Sequence, residues 1–185
     1  EEMRFVAHLM IAGHLAVLGD WEGVGTQVKA MKAIDPRSPS VYYNDSVVRR
    51  EQGDYEGALA ALESYEKLLG RDSETCSLYA EIHLRAEDHE AARAVIKEGV
   101  NLNQADSYAV SLYGAVATEE ELSEVFVLID ELNYPLNTYD GVFSYAWEKR
   151  DLNKQIKILD HIKQTYPQEK EAIAYFEDLM GTNPE

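Results

Sequence analysis

The chain has 185 residues, of which 45% are hydrophobic and 28% are charged, and its formal net charge at pH 7 is −17. The apolar content is sufficient for one ordered domain, and the length does not require two. The negative charge argues against general binding of DNA or RNA and against anionic membrane surfaces, because a polyanion repels phosphate groups.

Cys76 is the only cysteine, so no internal disulfide can form and nothing requires an oxidising compartment. The longest apolar run, residues 5–19, contains two histidines and is too short to cross a bilayer. No secretory signal is visible. We therefore expect a soluble protein with the cytoplasm as its default location. The alternative is the periplasm or an organelle, if a signal has been removed.

Most of the sequence consists of the helix-forming residues Ala, Leu, Glu and Lys, whereas the alternating patterns typical of strands are scarce. This composition favours the all-α fold class. In chain order, helices are predicted at approximately residues 3–18, 21–34, 39–52, 55–69, 73–86, 89–101, 106–117, 120–132, 136–149, 152–165 and 168–180.

A four-residue turn signal recurs along the chain. The sequence Gly-Asp-Trp-Glu at 19–22 is followed 34 residues later by Gly-Asp-Tyr-Glu at 53–56, and 34 residues after that by Glu-Asp-His-Glu at 87–90. More distant copies begin at Glu120, 33 residues later, and at Arg150, 30 residues after that. Each copy precedes a helix with mostly apolar residues at positions i, i+4 and i+7, which lie on one face. These positions are Val24, Val28 and Met31; Ala58, Leu62 and Tyr65; Ala92, Ile96 and Gly99; Val125, Ile129 and Leu132; and Gln155, Leu159 and Ile162.

A period of 34 residues with this pattern resembles the tetratricopeptide repeat (TPR) family. Pro36, Pro135 and Pro167 lie where such a repeat ends its second helix, because proline cannot continue a helix. The resemblance implies a right-handed α-solenoid of about five helix-turn-helix repeats, in which the stacking of neighbours supplies the core. We interpret residues 1–185 as a single solenoid domain with repeats at approximately 5–38, 39–72, 73–105, 106–135 and 136–167, and with a C-terminal capping helix at 168–180.

Two repeats depart from the family pattern. In repeat two, Asp45 and Arg49 stand where the family usually has a leucine and an aromatic residue. They are four residues apart on a predicted helix, so an ion pair between them is expected. Repeat five also resembles the related pentatricopeptide pattern at residues 137–139 and 150–152, and that family reads single-stranded RNA.

In tetratricopeptide proteins the first helix of each repeat lines a concave groove. Transferring the family's groove positions gives these candidate partner-binding residues: Tyr43, Val47, Arg50, Ser77, Glu81, Leu84, Arg85, Ser111 and Trp147. Arg50 and Arg85 are cations in an acidic chain, and aromatic residues such as Tyr43 and Trp147 are typical interface anchors. The two arginines are expected on adjacent first helices, facing a partner segment with acidic and hydrophobic residues.

The sequence shows no convincing catalytic or metal-binding motif. His89-Glu90 resembles the start of a zinc-protease motif, but Arg93 replaces its second histidine. The remaining histidines lack ligand spacing, and pairing any two of the many carboxylates as acid and base would be arbitrary. We therefore predict that the protein is not an enzyme and uses no cofactor and no metal.

The predicted function is that of a protein-interaction scaffold or adaptor, which binds a peptide or protein partner in its concave groove. Two alternatives remain open: pentatricopeptide-like RNA binding, which the acidity disfavours, and a regulatory or assembly domain of a larger enzyme or secretion machine. Neither nucleic-acid binding nor membrane insertion is expected.

The first predicted helix is apolar on all sides, whereas an exposed terminal repeat should have a polar outer face. We therefore expect Val6, Leu9, Met10 and Val17 to contact either a second copy of the chain or an upstream repeat.

Overall fold

The computed structural model describes residues 1–102, 107–133 and 135–181. These residues form eleven α-helices and no strand. The helices are α1 (Glu2–Val17), α2 (Trp21–Ile34), α3 (Pro39–Glu51), α4 (Tyr55–Leu69), α5 (Ser73–Arg85), α6 (His89–Val100), α7 (Ser107–Val116), α8 (Leu122–Asp130), α9 (Pro135–Glu148), α10 (Leu152–Thr165) and α11 (Lys170–Gly181).

All eleven predicted helices are present, with ends within two residues of their predicted positions. The all-α prediction is therefore confirmed, and the chain has the fold of an α-solenoid built from helical repeats. The predicted boundary between repeats three and four, at residues 105 and 106, lies outside the described residues.

The recurring turn signal places one residue in the left-handed region of the backbone. Gly19 and Gly53 have φ angles of 72° and 79°, which glycine adopts at little cost because it has no Cβ. Glu87 and Arg150 occupy the same place in later copies, with φ angles of 60° and 56°. The turn geometry is thus kept where glycine is absent, and these two residues carry backbone strain.

The aspartate that follows each left-handed residue caps the next helix. The side chains of Asp20, Asp54, Asp88 and Asp151 accept hydrogen bonds from backbone N–H groups three residues later, at 2.9, 3.0, 3.1 and 3.0 Å. Such N–H groups have no partner within the helix, so each aspartate satisfies one of them. The two-residue signal therefore ends one helix and begins the next.

The turn between α7 and α8 is built differently. Glu121 does not cap α8 with its side chain. Instead, its Oε2 accepts a hydrogen bond from the backbone N–H of Thr118 at 3.0 Å, and its Oε1 accepts one from Lys97 Nζ at 2.9 Å. As a result, α8 begins at Leu122 rather than at the predicted residue 120.

The chain divides into two compact units, Glu1–Val95 (unit 1) and Ile96–Glu185 (unit 2), and the division falls inside α6. Unit 1 contains two buried apolar clusters. The first consists of Ala12, Val24, Val28, Met31, Val41 and Val48, and the second of Ala58, Leu62, Leu78, Tyr79 and Ile82. The predicted stripes of α2 and α4 contribute to these clusters, so the sequence pattern identified the buried face of both helices.

The core of unit 2 is richer in aromatic residues. Its largest fully buried side chains include Tyr113, Tyr139, Phe143 and Phe176. Gly114 of α7 faces α9, and a Cβ built on it would lie 2.5 Å from Cγ2 of Val142. The close approach of α7 to α9 therefore requires glycine at this position.

Candidate protein-binding groove

The predicted groove residues of repeats two and three lie within unit 1. On α3, Val47 and Arg50 are three residues apart, and on α5, Glu81, Leu84 and Arg85 have the spacing of one helix face. An ion pair between Arg50 and Glu81 joins the two helices. These five residues, together with Glu51, form a surface that we call the α3–α5 face.

The two arginines of the α3–α5 face are not equivalent. Arg50 pairs with Glu81 and also with Glu51, whose Oε1 lies 3.1 Å from Arg50 Nη2. The side chain of Arg50 is only 15% exposed, whereas that of Arg85 is 63% exposed and lies 3.7 Å from the same Glu51 oxygen. Both arginines were expected to face a partner segment. This expectation is corrected for Arg50, because carboxylates of the same chain already pair with it.

Two other predicted groove residues of unit 1 contact its interior. Tyr43 is half-buried against the second cluster, and its ring centroid lies 6.0 Å from that of Tyr65. Ser77 is buried, and its hydroxyl donates a hydrogen bond to the backbone carbonyl of Ser73 at 2.9 Å. Contrary to the prediction, Ser77 does not line an accessible surface, because α5 turns this position inward.

The two predicted groove residues of unit 2 also have partners within the chain. Ser111 donates a hydrogen bond to the carbonyl oxygen of Thr138 at 3.5 Å. Trp147 is half-buried, and its Nε1 donates to the carbonyl oxygen of Leu179 on α11 at 3.2 Å. Trp147 thus holds the terminal helix and is not a freely exposed anchor, contrary to our expectation.

The first helix has one packed stripe and one exposed stripe. Phe5 and Leu9 pack against the first cluster of unit 1, so Leu9 is part of the local core. By contrast, Val6, Met10 and Val17 are 47%, 61% and 88% exposed. The exposed apolar surface predicted for α1 is therefore formed by Val6, Met10 and Val17, without Leu9.

A hollow of about 490 Å³ lies between α2 and α3 in unit 1. Its lining includes Asp45 and Arg49, and the ion pair predicted between them is confirmed, with Arg49 Nε 3.1 Å from Asp45 Oδ1. Arg49 Nη1 also lies 2.6 Å from Asp54 Oδ2. The hydrogen bond to Asp54 and the charge of Asp45 raise the pKa of the Arg49 guanidinium above its ordinary value. We did not predict this hollow, although the charged pair at two normally apolar positions was its sequence signal.

A second unpredicted cluster surrounds Asp130 in unit 2. The hydroxyl groups of Tyr139 and Tyr166 donate to Asp130 Oδ1 at 2.8 and 2.7 Å, and His161 Nε2 lies 3.0 Å from Oδ2. The ring of Phe126 stacks on His161 with centroids 4.3 Å apart. Burial, with help from Asp130, raises the pKa of Tyr166 to about 12. Three side chains, from α9, α10 and the turn after α10, thus converge on one carboxylate.

Among residues 1–102, 107–133 and 135–181, no three or more histidine, cysteine, aspartate or glutamate side chains are grouped in a way that could hold a metal ion. Within the same residues, no helix has both the length and the apolar character needed to cross a membrane.

Comparisons with known proteins agree with the repeat pattern. Residues 49–116 match the family model of the tetratricopeptide repeat. The fold is similar to the crystal structure of YrrB, described as a TPR protein with an unusual peptide-binding site, at 15% identity and a TM-score of 0.56 over 92% of this chain and 90% of that one. It is also similar to the crystal structure of MamA protein, at 14% identity and a TM-score of 0.55 over 98% of this chain and 92% of that one. A search of curated proteins found no significant match.

The repeat period, the helical architecture and the matched segment define a class of protein built from helical repeats that present surfaces to other proteins. Residues 49–116 therefore carry the tetratricopeptide repeat that the resemblance predicted, and the chain has the fold of an α-solenoid of helical repeats. This fold is generally a non-catalytic protein-interaction scaffold.

Proposed function

We propose that the chain is a scaffold that holds an extended segment of a partner protein on the α3–α5 face. The guanidinium of Arg85 carries this proposal, because its side chain is 63% exposed, its contact with Glu51 is long at 3.7 Å, and it stands beside the half-buried side chain of Leu84. Arginine suits such a position, since its planar group can form two hydrogen bonds with one carboxylate.

The ion pairs beneath Arg85 would keep this surface in one arrangement. Arg50, Glu51 and Glu81 hold one another across α3 and α5, and Arg50 and Glu51 have side chains about one-sixth exposed. A surface that is already ordered loses little conformational entropy on binding. Because Arg85 is 63% exposed and 3.7 Å from the carboxylate oxygen of Glu51, the expected segment contains one carboxylate for Arg85 and apolar side chains for Val47 and Leu84.

The fold supports peptide binding as a general capacity. YrrB is described as having a peptide-binding site, and its fold is similar to that of this chain. The net charge of −17 opposes pentatricopeptide-like RNA binding.

The experiment compares proteins captured by the unmutated chain with those captured by the variant Leu84→Glu plus Arg85→Glu. A partner that is lost with this variant is then titrated by calorimetry against Arg85→Ala and Arg37→Ala. Arg37 is an exposed arginine in the turn before α3, so it is the matched control. Arg85→Ala should cost about 2–5 kcal/mol of binding if Arg85 meets a buried carboxylate, and Arg37→Ala should cost less than about 1 kcal/mol.

Arg50→Ala serves as a separate test of the supporting ion pairs. It should weaken binding indirectly, and circular dichroism should show a lower thermal midpoint because Glu51 and Glu81 lose a shared cation. If Arg85→Ala and Arg37→Ala bind the partner equally well, the partner does not use the α3–α5 face.

A further inference from the structure

The hollow between α2 and α3 exists because two inward positions of repeat two carry charges. Asp45 and Arg49 pair with each other along α3, and Arg49 extends further to Asp54 at the start of α4. Their side chains therefore pair with each other and with Asp54 along the wall of the space that α3 provides. On the opposite wall, Gly25 contributes no side chain. The result is a space of about 490 Å³, which is within the size range of binding sites for small ligands.

Some of the charged side chains around this hollow form ion pairs, and others do not. Arg49, Asp45 and Asp54 satisfy one another. Lys29 and Lys32 also line the hollow, and no ion pair joins either lysine to another described residue. Lys32 has only a distant contact with the ring of Tyr42, 5.9 Å from its centroid. Because the lysines are three residues apart on α2, their side chains leave the same face of the helix.

The charged lining residues that have no ion pair are therefore mainly positive. Glu22 is the remaining carboxylate of the lining, and it lies on the first turn of α2, seven residues before Lys29. The lysines lie nearer the other end of α2. The formal charges of the lining balance, and its two lysines are cations without an ion pair in a chain of net charge −17. A carboxylate is the group that such a site favours, and two ammonium groups can share its two oxygen atoms.

We propose that the hollow between α2 and α3 is a second binding site, which accepts a carboxylate-bearing ligand through Lys29 and Lys32. This site is distinct from the α3–α5 face, which uses other residues of α3. The carboxylate can come from an acidic side chain of a bound peptide or from a small organic acid. Recognition by the two lysines is common to both sources.

The test follows backbone amide signals of the ¹⁵N-labelled chain by NMR. Three probes are used: acetyl-Ala-Glu-Ala-amide, the neutral acetyl-Ala-Gln-Ala-amide, and succinate. The glutamate peptide should shift the signals of Gly25, Thr26, Lys29 and Lys32 in a saturable way, whereas the glutamine peptide should leave them unchanged. Tighter binding of the glutamate peptide than of succinate would identify a peptide as the source, and the reverse order would identify a small acid.

Lysine variants decide whether the lysines form the site. Lys29→Gln plus Lys32→Gln should weaken binding of the glutamate peptide by at least about tenfold. The control Lys67→Gln plus Lys170→Gln removes the same charge from α4 and α11 and should bind as the unmutated chain does. Equal affinities of these two double variants, or shifts scattered over lysines throughout the chain, would overturn the proposal.

A filling variant provides a second test. Asp45→Leu plus Arg49→Phe restores apolar side chains of the kind that the family has at these positions, so it should close the hollow and abolish the shifts while the chain remains folded. Arg85→Glu, which alters the α3–α5 face, should leave binding of the glutamate peptide intact. The experiments therefore distinguish failure of the proposed site in the hollow from failure of the proposed partner binding on the α3–α5 face.

Discussion

The side chain of Lys154 on α10 donates a hydrogen bond to the carbonyl oxygen of Ala115 on α7, at 3.1 Å and across 39 positions of sequence. The same ammonium group donates to the carbonyl oxygen of Ala117 at 3.0 Å. The last carbonyl groups of a helix have no partner within it, and the partial negative charge at this end favours a cation. Lys154 therefore supplies a hydrogen-bond donor to the carbonyl groups at the end of α7, where the usual turn signal is absent.

Replacement of Lys154 by methionine should lower the free energy of unfolding by about 1–3 kcal/mol at pH 7, because the carbonyl groups of Ala115 and Ala117 lose their shared donor. Lys157→Met on the same helix is the control, since Lys157 is exposed, and it should cost less than about 1 kcal/mol. Urea unfolding followed by circular dichroism measures both. Equal losses would contradict a specific role of Lys154.

The effect of Lys154 should also depend on pH. Burial lowers its pKa from the ordinary value of 10.5. Folding therefore penalises the charged form, and this penalty disappears as the pH rises from the folded-state pKa to 10.5. The unmutated chain should gain stability relative to Lys154→Met over that range. Urea midpoints of both proteins at pH 7, 9 and 10.5 test this, and a constant difference would contradict it.

The left-handed turn residues predict a stabilising substitution. Glu87→Gly should relieve strain of about 1–2 kcal/mol, offset by about 0.5–1 kcal/mol from the greater freedom of glycine in the unfolded chain. The thermal midpoint should therefore rise. Gly53→Ala introduces the opposite change at the equivalent turn and should lower it. Differential scanning calorimetry distinguishes these outcomes, and a lower midpoint for Glu87→Gly would show that its side chain contributes more than the backbone costs.

The tyrosines around Asp130 predict a loss of stability at alkaline pH. The pKa of Tyr166 is raised from 10.0 to about 12 by burial and by Asp130, and that of Tyr139 is raised for the same reasons. A raised folded-state pKa gives stability that is fully present below pH 10 and is lost as the pH rises through the folded value. Urea midpoints should therefore fall between pH 10 and 12, and the fall should be smaller in Tyr166→Phe. An unchanged slope in that variant would exclude Tyr166 as a source.

The exposed stripe of α1 predicts self-association. Met10 and Val17 are the most informative positions, because both are exposed whereas Leu9 belongs to the local core. Met10→Glu plus Val17→Glu should convert any dimer to a monomer in light scattering without unfolding the chain. Leu69→Glu, which changes an exposed apolar residue of α4, is the control. If the unmutated chain is a monomer at every concentration, the stripe does not mediate contact between copies.

The helices and their buried faces could be predicted because their signals are local. The 34-residue period, the prolines and the i, i+4, i+7 stripes each lie within a few turns of helix, so they indicated the elements directly. The ion pair between Asp45 and Arg49 could be predicted for the same reason, since its members are four residues apart on one helix.

The site details could not be predicted in the same way, because they depend on contacts between distant segments. Arg50 and Glu81 are 31 positions apart, and nothing in the sequence of α3 shows that Arg50 is paired with a carboxylate of α5. Trp147 and Leu179 are 32 positions apart, so the spacing of α9 alone suggested an exposed anchor. The family positions identified a surface but not which of its side chains are free to meet a partner.

The paired turn signal has a consequence for how such a chain can change in length. At four turns within repeats, a left-handed residue and a capping aspartate fix the boundary within two positions, and neither depends on a distant segment. Duplication or loss of a whole 34-residue period would therefore preserve the boundaries at these four turns. A single-residue insertion within α2 or α4 would instead rotate the rest of that helix by about 100° and turn its apolar stripe away from its neighbours. In this chain, addition or loss of a whole repeat is thus less disruptive than a one-residue change inside a helix.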